Sequence, residues 1–169
     1  MTEGTIFRPE RLLELLTERG VRFILIGGLA AQAHGSPSLT ADMHIVPLWD
    51  RPNLERLEGI LHEVAAIRHG LPDDSPPLPP LDARTLLAGA VFTLNSRFGR
   101  FDLLANPDPG LGFETLERNA IKVSMFGLPV LAAGLDDLIA MKRAAGRPKD
   151  RIELEILGAL REEIDRRPG

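Results

Sequence analysis

Phe23-Ile24-Leu25-Ile26-Gly27-Gly28-Leu29-Ala30-Ala31-Gln32-Ala33-His34-Gly35, followed shortly by Thr40-Ala41-Asp42-Met43-His44-Ile45-Val46, decides how the whole chain is read. The apolar run over 21–26 ends in a double glycine and reads as a buried strand. Residues 29–34 are small and suit a short helix packed close to a sheet, closed by Gly35. A second strand over 43–48 follows the loop Ser36-Pro37-Ser38. Two adjacent glycines permit a tight turn and let phosphate reach bare backbone N–H groups. A carboxylate at Asp42, beside that turn, is placed to hold a metal ion against such a phosphate. The alternative is a tight strand-to-helix junction with a surface aspartate.

Outward from this core the order is regular. Before it, Pro9 opens a helix with Leu12, Leu13, Leu15 and Leu16 on its apolar side, and Gly20 stops it. After it, Asn53 is read as the cap of a helix running to about residue 68. Residues 70–80 contain five prolines and two aspartates, which predicts an exposed loop. Two hairpin patterns follow, over 90–94 with 100–104 and over 121–125 with 129–131, separated by a short helix over 113–119. Helices over 134–145 and from Pro148 onward end the chain. The predicted fold class is α/β (α+β), with a mixed twisted sheet, flanking helices and C-terminal helices. Residues 1–169 are read as a single domain, with 134–169 as its C-terminal helical part.

Composition narrows the chemistry. The 169 residues are 44% hydrophobic but only 5% aromatic, so aliphatic residues must fill the core. With no cysteine, disulfides and thiolate zinc sites are excluded. The N-terminus lacks a basic-then-apolar leader pattern, and no apolar run approaches the ~20 residues of a membrane helix. The expectation is a cytoplasmic protein with no membrane partner. A net charge of -4 argues against broad nonspecific nucleic-acid binding while leaving room for a local basic cleft.

Two further constellations stand out. Asp102, in Arg100-Phe101-Asp102-Leu103-Leu104, is an aspartate inside an apolar strand and needs a metal, a cation or donors if it is buried. Otherwise it is the solvent-facing residue of an alternating strand. Lys142, Arg147 and Lys149 could converge on a triphosphate across a helix junction. Otherwise they are an ordinary basic helix C-terminus, with Asp150 in the first turn of the next helix. His34, His62, His69, Trp49, Asp50, Asp73 and Asp74 are given no role.

These residues carry a resemblance. Ile26-Gly27-Gly28 through His34-Gly35, Thr40, Asp42 and His44 resemble the first motif of polymerase-β-type nucleotidyltransferases, closest to the bacterial group of minimal nucleotidyltransferases and AbiEii-type toxins. Asp102 falls where that family places a third carboxylate, and residues 142–150 are similar to the Lys-x(4)-Arg-x-Lys-Asp motif of the toxin-like branch. The resemblance implies Asp42, Asp102 and Lys142 as catalytic residues. It implies Gly27, Gly28, Thr40, Lys142, Arg147, Lys149 and Asp150 for nucleotide binding. It places Asp42, His44 and Asp102 at the metal, Mg²⁺ or Mn²⁺, with an NTP as substrate. The acceptor would be a hydroxyl of RNA, such as a tRNA 3′ end, or of a protein. A toxin partnered by an antitoxin fits that branch.

Two positions depart from the pattern. Ser38 stands where the family often has arginine. His44 stands where it has its second aspartate. Imidazole is a poor ligand for Mg²⁺ and suits Mn²⁺ or another borderline ion better. The competing readings are a degenerate member that binds nucleotide, RNA or protein without chemistry, and an interaction protein on an unrelated fold. Whether Asp42 and Asp102 meet beside Gly27-Gly28 separates the last of these from the others.

Overall fold

The structure is a computed structural model that describes residues 4–168. In chain order its elements are α1 (Pro9–Glu18), β1 (Phe23–Ile26), α2 (Gly27–Ala33), β2 (Asp42–Pro47), α3 (Arg51–Glu63), β3 (Ile67–Arg68) and α4 (Ala83–Ala88). They continue with β4 (Val91–Ser96), β5 (Gly99–Leu104), α5 (Phe113–Asn119), β6 (Ile121–Met125), β7 (Leu128–Ala132), α6 (Leu135–Ala145) and α7 (Pro148–Arg166). The seven strands form one sheet in the order β3-β4-β5-β2-β1-β7-β6. β2 runs parallel to β5, and β1 parallel to β7. The remaining neighbours are antiparallel. This is the mixed sheet with flanking and C-terminal helices that the pattern predicts.

The burial of each strand follows from its place. All four residues of β1 are buried, as a strand covered on both faces requires. β2 and β5 alternate over their first residues. Met43, Ile45, Phe101 and Leu103 are fully buried in the core, while Asp42, His44, Arg100 and Asp102 line a cleft. Period-two alternation thus puts every polar residue of this pair on one face. Leu12, Leu13 and Leu16 of α1 and Leu54, Leu57 and Leu61 of α3 join the same core. Among the described residues, no helix is long and apolar enough to cross a membrane.

Several sequence expectations need correction. α2 begins at Gly27 rather than 29, so both glycines lie in its first turn. α3 is capped by Asp50, whose Oδ1 accepts from the Asn53 N–H at 2.9 Å. Asn53 is instead a buried brace. Its Oδ1 accepts from the Arg22 N–H at 2.8 Å, and its amide donates to the carbonyls of Arg22 and Leu48, each at 2.9 Å. α3 ends at Glu63, because Ala65 turns left-handed (φ 52°) and releases Ile67 and Arg68 to form the edge strand β3. α4 went unread because it has only six residues. It is capped at Asp82, which accepts from the Thr85 N–H at 2.8 Å. Residues 71–80 hold no helix or strand, as the prolines predict. The first hairpin is tighter than the expected strands 90–94 and 100–104 imply: pairing continues to Ser96 and Gly99, the turn is Arg97-Phe98, and Gly99 has φ 105°. A Cβ at Gly99 would meet Phe7 at 2.9 Å, so no side chain fits there.

Asn53→Ala would orphan the Arg22 N–H and the Leu48 carbonyl between β1, β2 and α3, while the Arg22 carbonyl keeps the Leu48 N–H at 3.0 Å. The expected cost is about 2–3 kcal/mol, allowing for water reaching some of them. It should appear in urea as a lower midpoint with an unchanged slope. A midpoint within error of wild type would mean the brace is redundant.

A candidate metal and nucleotide site

The strand order brings the sequence motifs together. β1 delivers the chain to Gly27, whose φ of 71° favours glycine. Close approach is the second demand. A Cβ on Gly27 would lie 3.4 Å from the His44 side chain, and one on Gly28 only 2.7 Å from Thr40 Cβ. The double glycine therefore lets α2 pass directly over the start of β2. Thr40 fixes that start by donating its hydroxyl to the Asp42 carbonyl at 3.1 Å, and it also lies 3.3 Å from Asp42 Oδ1. Asp42 and His44 sit two apart on β2, and His44 is in register with Asp102 on β5.

The result is a compact trio. His44 Nε2 lies 3.2 Å from Asp42 Oδ2 and 3.1 Å from Asp102 Oδ2. One ligand atom from each of Asp42, His44 and Asp102 lies within 4.8 Å of the others. Burial pushes the imidazole down, but Asp102 and then Asp42 outweigh it and raise its pKa to about 9. Contact with His44 is the main reason the Asp42 carboxyl is held at about 2, against the opposing effect of burial. At neutral pH the ring is thus an imidazolium between two carboxylates.

The trio has the features of an ion site. His44 Nε2 and Asp102 Oδ1 are buried and lack a well-aligned hydrogen bond, although Nε2 is close to both carboxylates. Buried polar atoms without partners call for a ligand. Two carboxylates and an imidazole fit a borderline divalent ion such as Mn²⁺ better than Mg²⁺. Nε2 must lose its proton to coordinate. Affinity for Mn²⁺ is therefore expected to rise about tenfold per pH unit from about pH 6 and to level off above about 9. Titration calorimetry measures this, and a flat profile would remove His44 from the ligand set.

The same cleft, about 520 Å³, is lined by Gly27, Gly28, Thr40, Asp42, His44 and Asp102 together with Lys142, Arg147, Lys149 and Asp150. Helices α6 and α7 and the junction between them supply the last four. Gly146, left-handed at φ 60°, ends α6, and Arg147 leads into α7. Asp150 is only 1% exposed. Its Oδ1 lies 3.3 Å from Lys142 Nζ, and its Oδ2 accepts from the Arg147 N–H and Nε, each at 3.0 Å. Burial pushes this carboxyl up, but the Arg147 and Lys142 contacts win and hold it below the usual range. Asp150 thus faces protein cations, and it orients Lys142 and Arg147 at the cleft wall. Lys149 lines the cleft with no ion pair among the described residues.

Arg100 was missed from the sequence. It lines the cleft, and its Nε stands 4.0 Å from Asp102 Oδ1. Its place two residues before Asp102 on an alternating strand was the available signal. His34 has a structural contact, its Nε2 lying 2.8 Å from the Ala133 carbonyl. Trp49 stacks on Phe92 with ring centroids 6.4 Å apart.

No family model and no curated protein sequence matches the chain. Solved structures do match. The lincosamide antibiotic adenylyltransferase LnuA, in its lincomycin-bound crystal structure, is 13% identical with a TM-score of 0.61, covering 93% of this chain and 99% of LnuA. The antibiotic-resistance factor ANT(2'')-Ia, in solution, is 15% identical with a TM-score of 0.57, covering 93% of this chain and 89% of its own. TM1012 of Thermotoga maritima, a protein assigned as a nucleotidyltransferase, is 15% identical with a TM-score of 0.54, covering 99% of this chain and all of its own (100%). At such identities the likeness is one of architecture, and it spans nearly the whole chain. The fold is that of the nucleotidyltransferases.

Proposed function

We propose that this chain is a metal-dependent nucleotidyltransferase, moving a nucleotide from an NTP to an acceptor hydroxyl. The observation that carries the proposal is the convergence of Asp42, His44 and Asp102 beside Gly27-Gly28, in one cleft with Lys142 and Lys149. In this reaction the acceptor oxygen bonds to the α-phosphorus, the bond to the bridging oxygen breaks, and pyrophosphate leaves. Asp42, His44 and Asp102 would hold the ion, which supplies positive charge to the phosphates and lowers the pKa of the attacking hydroxyl. The residues themselves have separable tasks. Gly27 and Gly28 bring backbone against the triphosphate. Lys149, and Lys142 as oriented by Asp150, face its negative charge. Asp102 Oδ1, which has no hydrogen-bond partner, is free to accept from the incoming hydroxyl. The cation called for here is Mn²⁺ rather than Mg²⁺, because imidazole replaces one hard oxygen.

The cleft is short of spare cations for a polyanionic acceptor. Lys142 and Arg147 are engaged by Asp150, Arg100 stands 4.0 Å from Asp102, and a triphosphate would take Lys149. A small hydroxylated acceptor therefore fits better than RNA. The LnuA and ANT(2'')-Ia structures hold small molecules of this kind, lincomycin in one and adenylyl-2''-tobramycin, an adenylylated antibiotic, in the other. A tRNA 3′ end or a protein side chain, in a toxin held by an antitoxin, is the other branch of the proposal. The test incubates each labelled NTP with Mn²⁺ or Mg²⁺, offering lincomycin, tobramycin, bulk tRNA and protein as acceptors. Label transfer in Mn²⁺ to any acceptor supports the proposal, and transfer to tRNA alone overturns the acceptor size argument.

One observation favours a second reading. The His44 imidazolium already bridges both carboxylates, as an ion would. A protein that binds nucleotide without chemistry would keep that arrangement. NTP binding with no transfer in either metal selects this reading.

A further inference from the structure

Two buried polar atoms face each other in the cleft without touching. Arg100 Nε and Asp102 Oδ1 are 4.0 Å apart, and neither has a hydrogen-bond partner among the described residues. A direct hydrogen bond needs about 3 Å, so the pair is not closed on itself. One oxygen hydrogen-bonded to both, about 2.8 Å from each, would see them at an angle of about 90°, which a hydroxyl accommodates. A hydroxyl also has the right polarity. It accepts from the guanidinium N–H and donates to the carboxylate. A cation would be repelled by the first of these groups and an anion by the second.

The sheet order separates this pair from the phosphates. β2 lies between β1 and β5. Gly27 and Gly28, where the triphosphate is proposed to lie, follow β1 on one side, and Arg100 and Asp102 stand on β5 on the other. Arg100 lines the cleft with its side chain 41% exposed, so an acceptor reaches it from there. It is also the register partner of Asp42, and its charge adds to the contact with His44 in holding the Asp42 carboxyl low.

Charge points the same way. Two-ion sites place one metal at the attacking oxygen and another at the leaving oxygen. With His44 neutral, as coordination requires, Asp42, Asp102 and Arg100 together carry one net negative charge. One divalent ion more than balances it, and a second at Asp102 would meet the guanidinium.

Resting on the nucleotidyltransferase reading, we propose that Arg100 is a catalytic residue that holds the acceptor hydroxyl against Asp102 and takes the place of a second metal ion there. As the oxygen bonds to the α-phosphorus, its proton passes toward Asp102 Oδ1 and pyrophosphate leaves. The guanidinium stabilises the negative charge that develops on the oxygen.

The test compares wild type with Arg100→Gln and Arg100→Lys by two measurements. Mn²⁺ is titrated under argon at about pH 9.5, where His44 is mostly deprotonated, and the free ion is read by electron paramagnetic resonance. Wild type should take up one tight ion. Arg100→Gln should bind it about three- to tenfold more tightly, because a positive charge beside Asp102 is gone, and Arg100→Lys should bind it as wild type does. Transfer of a labelled nucleotide is then followed with whichever of lincomycin, tobramycin and tRNA accepts most from wild type. Arg100→Gln should lower kcat about 100-fold and change the KM for the NTP less than about threefold. Arg100→Lys should recover part of the rate. Tighter metal binding together with slower transfer is not what a merely structural arginine would give. Two tight Mn²⁺ ions on wild type overturn the proposal. So does an Mn²⁺ affinity that Arg100→Gln leaves unchanged or weakens, or a kcat that it leaves unchanged. No transfer by wild type to any acceptor overturns the nucleotidyltransferase reading and this proposal together, whereas the other outcomes overturn the proposal alone.

Discussion

Asp102→Asn is expected to lower nucleotidyl transfer by about three orders of magnitude, the upper end of what one electrostatic group in a reaction site contributes. Asparagine keeps the shape of the side chain and removes its charge. Asp102 is nearly buried, 3.1 Å from His44 and 4.0 Å from Arg100. The substitution would leave the ion site with one carboxylate and replace the anionic oxygen facing the incoming hydroxyl by a neutral, far less basic amide oxygen. The fold should survive, because Phe101 and Leu103, on the opposite face of the strand, carry the packing. Steady-state transfer in Mn²⁺, with a denaturation curve beside it, measures both effects. Transfer within a few-fold of wild type would show that chemistry occurs elsewhere.

His44→Asp should act in the other direction. It supplies the oxygen ligand that Mg²⁺ prefers, and Mg²⁺-supported transfer is expected to rise about 10- to 100-fold. A stability signature should accompany it. Without metal, three carboxylates would crowd a space that the imidazolium now neutralises, and like charges repel. The variant should therefore melt below wild type in chelator and recover as Mg²⁺ is added, as binding to the folded state alone requires. Equal activity of the two proteins in Mg²⁺, with no metal-dependent change in Tm, would remove position 44 from the metal site.

The sheet was readable because its signals were local and strong. A double glycine after four apolar residues marked β1, and the alternation of Arg100, Asp102 and Leu104 with Phe101 and Leu103 marked β5. The meeting of Asp42 and Asp102 on neighbouring strands was expected from the order of the motifs; the register that achieves it carries no local signal. Asp42 and Asp102 are sixty residues apart, and only the parallel register of β2 with β5 makes them neighbours. Asn53 looked like a cap because caps favour its chemistry, yet Asp50 took that role and Asn53 turned inward to Arg22 and Leu48. Lys142, Arg147 and Lys149 were legible as a basic cluster. Their division of labour was not, because it depends on Asp150 being buried among them. β3 escaped notice because two residues carry no period.

The last helix is secured at few points. Of the 19 residues of α7, only Asp150 and Leu157 are buried. A helix with so little burial stands at the low end of the stability range within a domain, where amide protons exchange through partial opening rather than global unfolding. The strands bearing Asp42 and Asp102 sit in the middle of the seven-stranded sheet and belong to the high end. The turns of α7 beyond Leu157 are therefore expected to exchange their amides well before the strands do. Lys149 is spared, because the buried Asp150 next to it ties the start of α7 to Lys142 and Arg147, so the cleft keeps both of its walls while the far end of the helix frays.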